Sequence, residues 1–158
     1  MSLTTAQETT LAAHIRANQD AAVVAALAIR NDTELARLYN LSSATDAWRS
    51  DMSGRDLFEA TDVTKFDGLT AGKRDAWRLL LNFAPVNMAR QKSRKAAQDV
   101  WGNADSVAVL QACTRKATVC ENALGGTSAT TNNVSAFKLN FEGALSTGDV
   151  SYALNRNP

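Results

Sequence analysis

Eight charged side chains lie between Lys73 and Lys95, and seven are basic: Lys73, Arg74, Arg78, Arg90, Lys92, Arg94 and Lys95, against Asp75 alone. Such a run can hold phosphate or carboxylate groups. On a helix starting near Asn87, Arg90 and Arg94 stand one turn apart on one face, with Lys95 beside them. Arg90, Lys92, Arg94 and Lys95 are therefore the candidates for contact with DNA or with an acidic neighbouring subunit. No aromatic set interleaves with them, so no reading of bases is expected. A solvated helix face explains the run at least as well.

Other chemistry is sparse. His14 is the single histidine, and no further nitrogen or thiolate ligands are in sequence reach, so a metal site is not expected. Cys113 and Cys120 are seven residues apart on an expected helix, roughly 10 Å along its axis, too far for a disulfide. They read as buried thiols of a reducing compartment. Gly68-Leu69-Thr70-Ala71-Gly72-Lys73 has a glycine and a lysine near a helix start, but it is not a phosphate-binding loop. The spacing is wrong, and Arg74 stands where a hydroxyl should meet magnesium. The carboxylates are scattered, mostly at helix starts, where the helix dipole explains them. No catalytic residue, cofactor site or metal site is expected, and the chain does not read as an enzyme.

The elements that must position these residues read as short capped helices. Thr4 with Gln7, or Thr5 with Glu8, makes a capping box before Leu11 and Ile15. Asp20 caps a helix over 21–29, apolar nearly all round and so expected inside. Asn31 or Asp32 caps the next, and Ser53 with Asp56 starts another. The 42–51 stretch reads as one or two weak helical turns around Trp48. Thr70 caps a helix over 71–83, which Pro85 ends. The helix from Asn87 runs to Trp101, and Gly102 stops it. Leu110, Cys113, Ala117, Cys120 and Leu124 recur at spacings of 3, 4, 3 and 4, which predicts one long helix from Asn103 or Asp105 to Leu124. Gly125-Gly126 ends it.

After that the character changes. Residues 126–135 read as a polar loop. In 136–142, Phe137, Leu139 and Phe141 alternate with Lys138 and Asn140, a half-buried strand. Ser146 caps a last helix. The expected fold class is mainly α: a compact helical body over 1–124, then an assembly arm over 125–158 made of loop, short strand and terminal helix. A lone strand lacks a partner unless another chain supplies one, so Phe137, Leu139 and Phe141 are assembly candidates.

The chain has 158 residues and a net charge of +1, enough length for a real core. Charge is uneven. Residues 1–62 carry five basic and nine acidic side chains, and residues 63–158 carry twelve and seven. Opposite-signed halves suit head-to-tail contact between copies. No apolar run reaches the ~20 residues that span a membrane, and no signal peptide is visible at Met1.

Several stretches, taken together, carry a resemblance. They are Met1-Ser2-Leu3-Thr4-Thr5-Ala6-Gln7, the run from Ala21 to Asn40, Trp48-Arg49, Thr114-Arg115-Lys116-Ala117-Thr118, the Gly-Thr-rich loop, Phe141-Glu142-Gly143 and Gly148-Asp149-Val150. The set resembles a family of small structural proteins encoded among the virion genes of tailed bacteriophages. The likeness covers nearly the whole chain and is thinnest over 50–102. It implies a virion component assembled in the bacterial cytoplasm, with a head–tail connector (adaptor or completion protein) as first choice. The implied partners are copies of itself in a ring, the portal and neck or tail proteins, and passing double-stranded DNA. A tail or baseplate protein and a small DNA-binding packaging accessory are the alternatives. The resemblance carries over no catalytic residue.

Overall fold

The computed structural model describes residues 3–83 and 85–156; the Met1-Ser2 start of the opening motif lies outside them. In chain order the elements are α1 (Thr5–Ala17), α2 (Ala21–Ala28), α3 (Asp32–Tyr39), β1 (Ser42–Trp48), α4 (Gly54–Glu59), α5 (Val63–Asp67), α6 (Ala71–Asn82), α7 (Gln91–Ala112), β2 (Thr114–Thr118), α8 (Val119–Ala123), β3 (Gly126–Thr131), β4 (Val134–Leu139) and α9 (Thr147–Arg156). The four strands form one sheet in the order β2-β1-β4-β3.

This corrects the expected fold class. The chain is α/β, with a four-stranded mixed sheet, rather than mainly α with one short strand arm. The strand around Phe137 is not alone. β4 runs between two neighbours, parallel to β1 with Ala47 opposite Phe137. It joins β3 through Asn132 and Asn133, whose φ values of 47° and 64° suit the two-residue turn that matches strand twist. The polar 126–135 stretch is thus a strand and a hairpin turn. Ser42–Trp48 is a strand where weak helical turns were expected.

The long helix to Leu124 is corrected too. Gly102 interrupts α7 with φ 75° and ψ 176°, a conformation open in practice to glycine alone. The helix ends at Ala112, β2 follows, and α8 starts afresh with a capping box between Thr118 and Glu121. Every residue of the predicted stripe is nonetheless buried.

The chain forms two compact units that interleave along the sequence, where a single boundary at 124/125 was expected. One takes the chain through Thr45, then Lys116–Gly126, then everything from Leu139; the other takes Asp46–Arg115 and Thr127–Lys138. In the first, Leu11, Ile15, Leu35, Tyr39, Cys120, Leu124, Phe141, Val150 and Leu154 make the core. Their helices are capped as the sequence indicates: Thr4 with Gln7, Asp20 toward Ala22 and Val23, Asn31 toward Glu34, and Ser146 with Asp149. Helix α2 departs from expectation. Only Val23 and Ala26 are buried, while Val24 is 48% and Ile29 74% exposed.

In the second unit Trp48, Met52, Leu57, Trp77, Trp101, Leu110, Cys113 and Ala136 make the core. Trp77 and Trp101 meet edge to face, their ring centroids 5.4 Å apart. Trp77 Nε1 donates to Thr61 Oγ1 at 2.9 Å, which satisfies the buried indole.

Candidate functional site

The basic run does not form a single face. In the second unit, Met52 and Val86 form an antiparallel bridge, and Met88 N donates to Arg49 O at 2.9 Å. These bonds fix where the chain turns into α7. Asn87 Oδ1 accepts from Ala89 N at 2.9 Å. Arg90 is then the residue before the helix, with extended backbone (φ −82°, ψ 129°). Arg90 and Arg94 therefore do not stand on one helical face, which corrects the expectation that they would.

Arg94 turns inward and is 3% exposed. Its Nη1 donates to Met88 O and Ala89 O, both at 2.8 Å, and its Nε to Thr131 Oγ1 at 2.9 Å. The guanidinium carbon lies 4.8 Å from the centre of the Trp48 ring, a cation–π distance. Trp48 is held in turn by its Nε1 donating to Ala129 O at 2.9 Å. Burial lowers the Arg94 pKa from its usual value, but an arginine so placed remains charged.

Lys95 pairs with Asp99 one turn on and lines, with Gln91 and Lys92, a groove of about 410 Å³ that also holds that carboxylate. Arg78 pairs with Asp75 at 3.3 Å and lies over the Phe66 ring. Arg74 donates to Asp67 O at 2.9 Å. Lys73 lines a different groove, a mainly apolar one of about 490 Å³, with Leu79, Leu80, Phe83, Val100 and Asp99.

What remains gathers around a further groove of about 400 Å³. Its lining is Ala89, Arg90, Gln91, Lys92, Arg94, Thr127, Ala129 and Lys138. Arg90, Lys92 and Lys138 are exposed, and none of the three has a side-chain partner among the described residues. No carboxylate lines the groove. The helix beginning at Gln91 has no side-chain cap and no acid in its first turn, so its first N–H groups add partial positive charge. Four basic side chains, from the approach to α7, from α7 and from β4, thus line one surface. It can hold an anion by charge and by N–H donation.

Lys138 and Thr127 were missed as members of this site. The signal was present: alternation put Lys138 on the polar side of its strand. Only the parallel pairing of β1 with β4 carries that strand into the unit that holds α7. Of the assembly candidates, Leu139 and Phe141 are buried and Phe137 is half-buried.

The other titratable candidates are structural. His14 Nδ1 lies 2.8 Å from Tyr39 Oη, and Asn18 Nδ2 donates to the same hydroxyl at 3.2 Å. Cys113 and Cys120 are fully buried, and desolvation pushes each thiol up to about 12. A thiol so buried stays protonated at neutral pH. Among the described residues no group of three His, Cys, Asp or Glu is placed to hold a metal ion, and no helix is long and apolar enough to cross a membrane.

No family model, no curated protein and no solved structure matches this chain.

Proposed function

We propose that the chain is a structural protein of a tailed-phage particle, a head–tail connector, and that it works by packing against further copies of itself and against portal and neck proteins. The resemblance over nearly the whole chain supports the virion. One observation carries the assembly role: α2, Ala21–Ala28, has no charged side chain and turns Val24, with the neighbouring Ile29, outward. An uncharged helix face of this kind marks a contact surface. The 1–62 segment that contains α2 carries the acidic excess, and the 63–158 segment, which holds the apolar groove beside Leu79 and Phe83 on α6, carries the basic one; the groove itself has one charge of each sign, Lys73 and Asp99. That charge balance favours a second copy as the occupant.

The test is the oligomeric state. Analytical ultracentrifugation of the full chain should show concentration-dependent association. The pair Val24→Asp with Ile29→Asp should abolish it and leave the thermal melt unchanged, since both side chains are exposed. A monomer at all concentrations would end the self-assembly reading. Mass spectrometry of purified particles of the encoding phage should find the chain, and its absence there would end the virion reading.

A further inference from the structure

The groove in the second unit joins features that do not need each other for folding. Arg90, Lys92 and Lys138 have no side-chain partner among the described residues and face solvent, so their charge adds nothing to the core. Arg94, by contrast, is fixed by three donated hydrogen bonds and by Trp48. Those bonds use its Nε and Nη1; its Nη2 is left without a partner among the described residues. A buried, immobilised guanidinium with donors to spare, lining a groove among three free cations, is a prepared anion seat. The uncapped start of α7 reinforces it.

The lining also says which anion. Ala89 and Ala129 are its only apolar side chains, and it holds no aromatic residue. A mononucleotide base would have no wall to bind against. Single-stranded bases would have nothing to stack on. A duplex presents phosphates outward and hides its bases, and it asks only for spaced cations. No carboxylate stands in the groove to repel it.

We infer that this groove seats the phosphodiester backbone of duplex DNA without regard to sequence. Arg90, Lys92 and Lys138 make the long-range contacts, and Arg94 with the start of α7 forms the fixed centre. The inference rests on the virion reading only for the source of the DNA; the groove's chemistry stands apart from it.

The experiment is fluorescence anisotropy of the full chain with two labelled duplexes of unrelated sequence, at about 50 and 200 mM salt. Both duplexes should bind alike. Three to four phosphates neutralised predict about 40–150-fold weakening between the two salts. Lys138→Ala and Lys92→Ala should each lower the salt slope by about one and weaken both duplexes equally. Arg90→Glu with Lys138→Glu should abolish binding while the melt stays at the wild-type temperature. Four results overturn the inference: no binding by the wild type, preference for one sequence, variants that bind as the wild type does, or variants that lose self-association while duplex binding persists. Binding that follows the groove in a chain absent from particles would remove the virion reading and leave the groove. A chain present in particles with no duplex binding would do the reverse.

Discussion

At the residue scale, Arg94 shows how position within a helix decides what a charge does. Four residues after Arg90 reads as the same face, but only if Arg90 is helical, and it is not. Arg94 therefore faces the Trp48 ring and closes two backbone carbonyls and one hydroxyl. Arg94→Met should cost about 2–3 kcal/mol, because those largely buried acceptors lose a charged donor. Urea unfolding would measure it; a variant as stable as the wild type would mean that water satisfies the acceptors. The two cysteines carry a pH signature. Their folded values near 12 lie above the ordinary 9.0, so the folded state holds the thiol protons more tightly. Their contribution is complete below pH 9 and declines as pH rises from 9 toward 12. Unfolding midpoints taken from neutral pH upward should fall more steeply for the wild type than for the Cys113→Ala, Cys120→Ala double variant. Equal slopes would show that the thiols are not the groups responsible.

At the element scale, much of the helical plan was legible because caps are local. Asp20, Asn31, and Ser53 with Asp56 announce helix starts by donor–acceptor chemistry that involves only neighbouring residues. Apart from β4, whose alternation announced it, the strands were not legible for the opposite reason. β3, Gly-Thr-Ser-Ala-Thr-Thr, is a polar edge strand with no apolar alternation. The stripe from Leu110 to Leu124 misled differently. Leu110 and Cys113 belong to one core, Cys120 and Leu124 to the other. Two separate burials happened to fall at helical spacing, and no local rule distinguishes that from one helix. The basic site was half legible: Arg90 and Lys92 were visible as a cluster, while Lys138 needed the strand pairing. The hairpin gives an element-scale prediction. Asn133 holds φ 64°, and Asn-Gly is the favoured pair for such a turn. Relief of the left-handed backbone cost, roughly 1–2 kcal/mol for a side-chain-bearing residue and less for Asn, should outweigh glycine's extra unfolded-state freedom, so Asn133→Gly should stabilise slightly. Asn132→Gly should instead destabilise by about 1 kcal/mol, because Asn132 Nδ2 donates to Asn103 O and to Ser106 Oγ. Paired thermal melts would check both, and a loss for Asn133→Gly would mean that the turn is not of this type.

At the scale of the whole molecule, the first unit depends on its last helix. α9 packs on α1 and α3 and places Val150, Ala153 and Leu154 in their core. Arg16 Nη2 reaches Leu154 O at 3.1 Å, and Arg156 pairs with Glu8 at 3.1 Å. Removing the chain from Ser146 onward strips Val150 and Leu154 at about 2 kcal/mol each, before the newly exposed Leu11 and Ile15 are counted. That is comparable with the whole stability of a small domain. The truncated chain should lose its cooperative melt by circular dichroism, and a sharp transition at the wild-type temperature would contradict the role given to α9.

The closing of α1 by α9 also bears on how the protein is made. The α1 segment emerges from the ribosome long before the segment that covers it. Through most of translation Leu11 and Ile15 have no α9 to meet, and the sheet cannot complete before β4 is synthesised. The nascent chain thus carries uncovered apolar side chains until the α9 segment has been made, which invites chaperone binding during that interval. Rare codons placed between the α1 and α9 segments should lengthen the interval and lower soluble yield, whereas the same codons ahead of the α1 segment should have no effect.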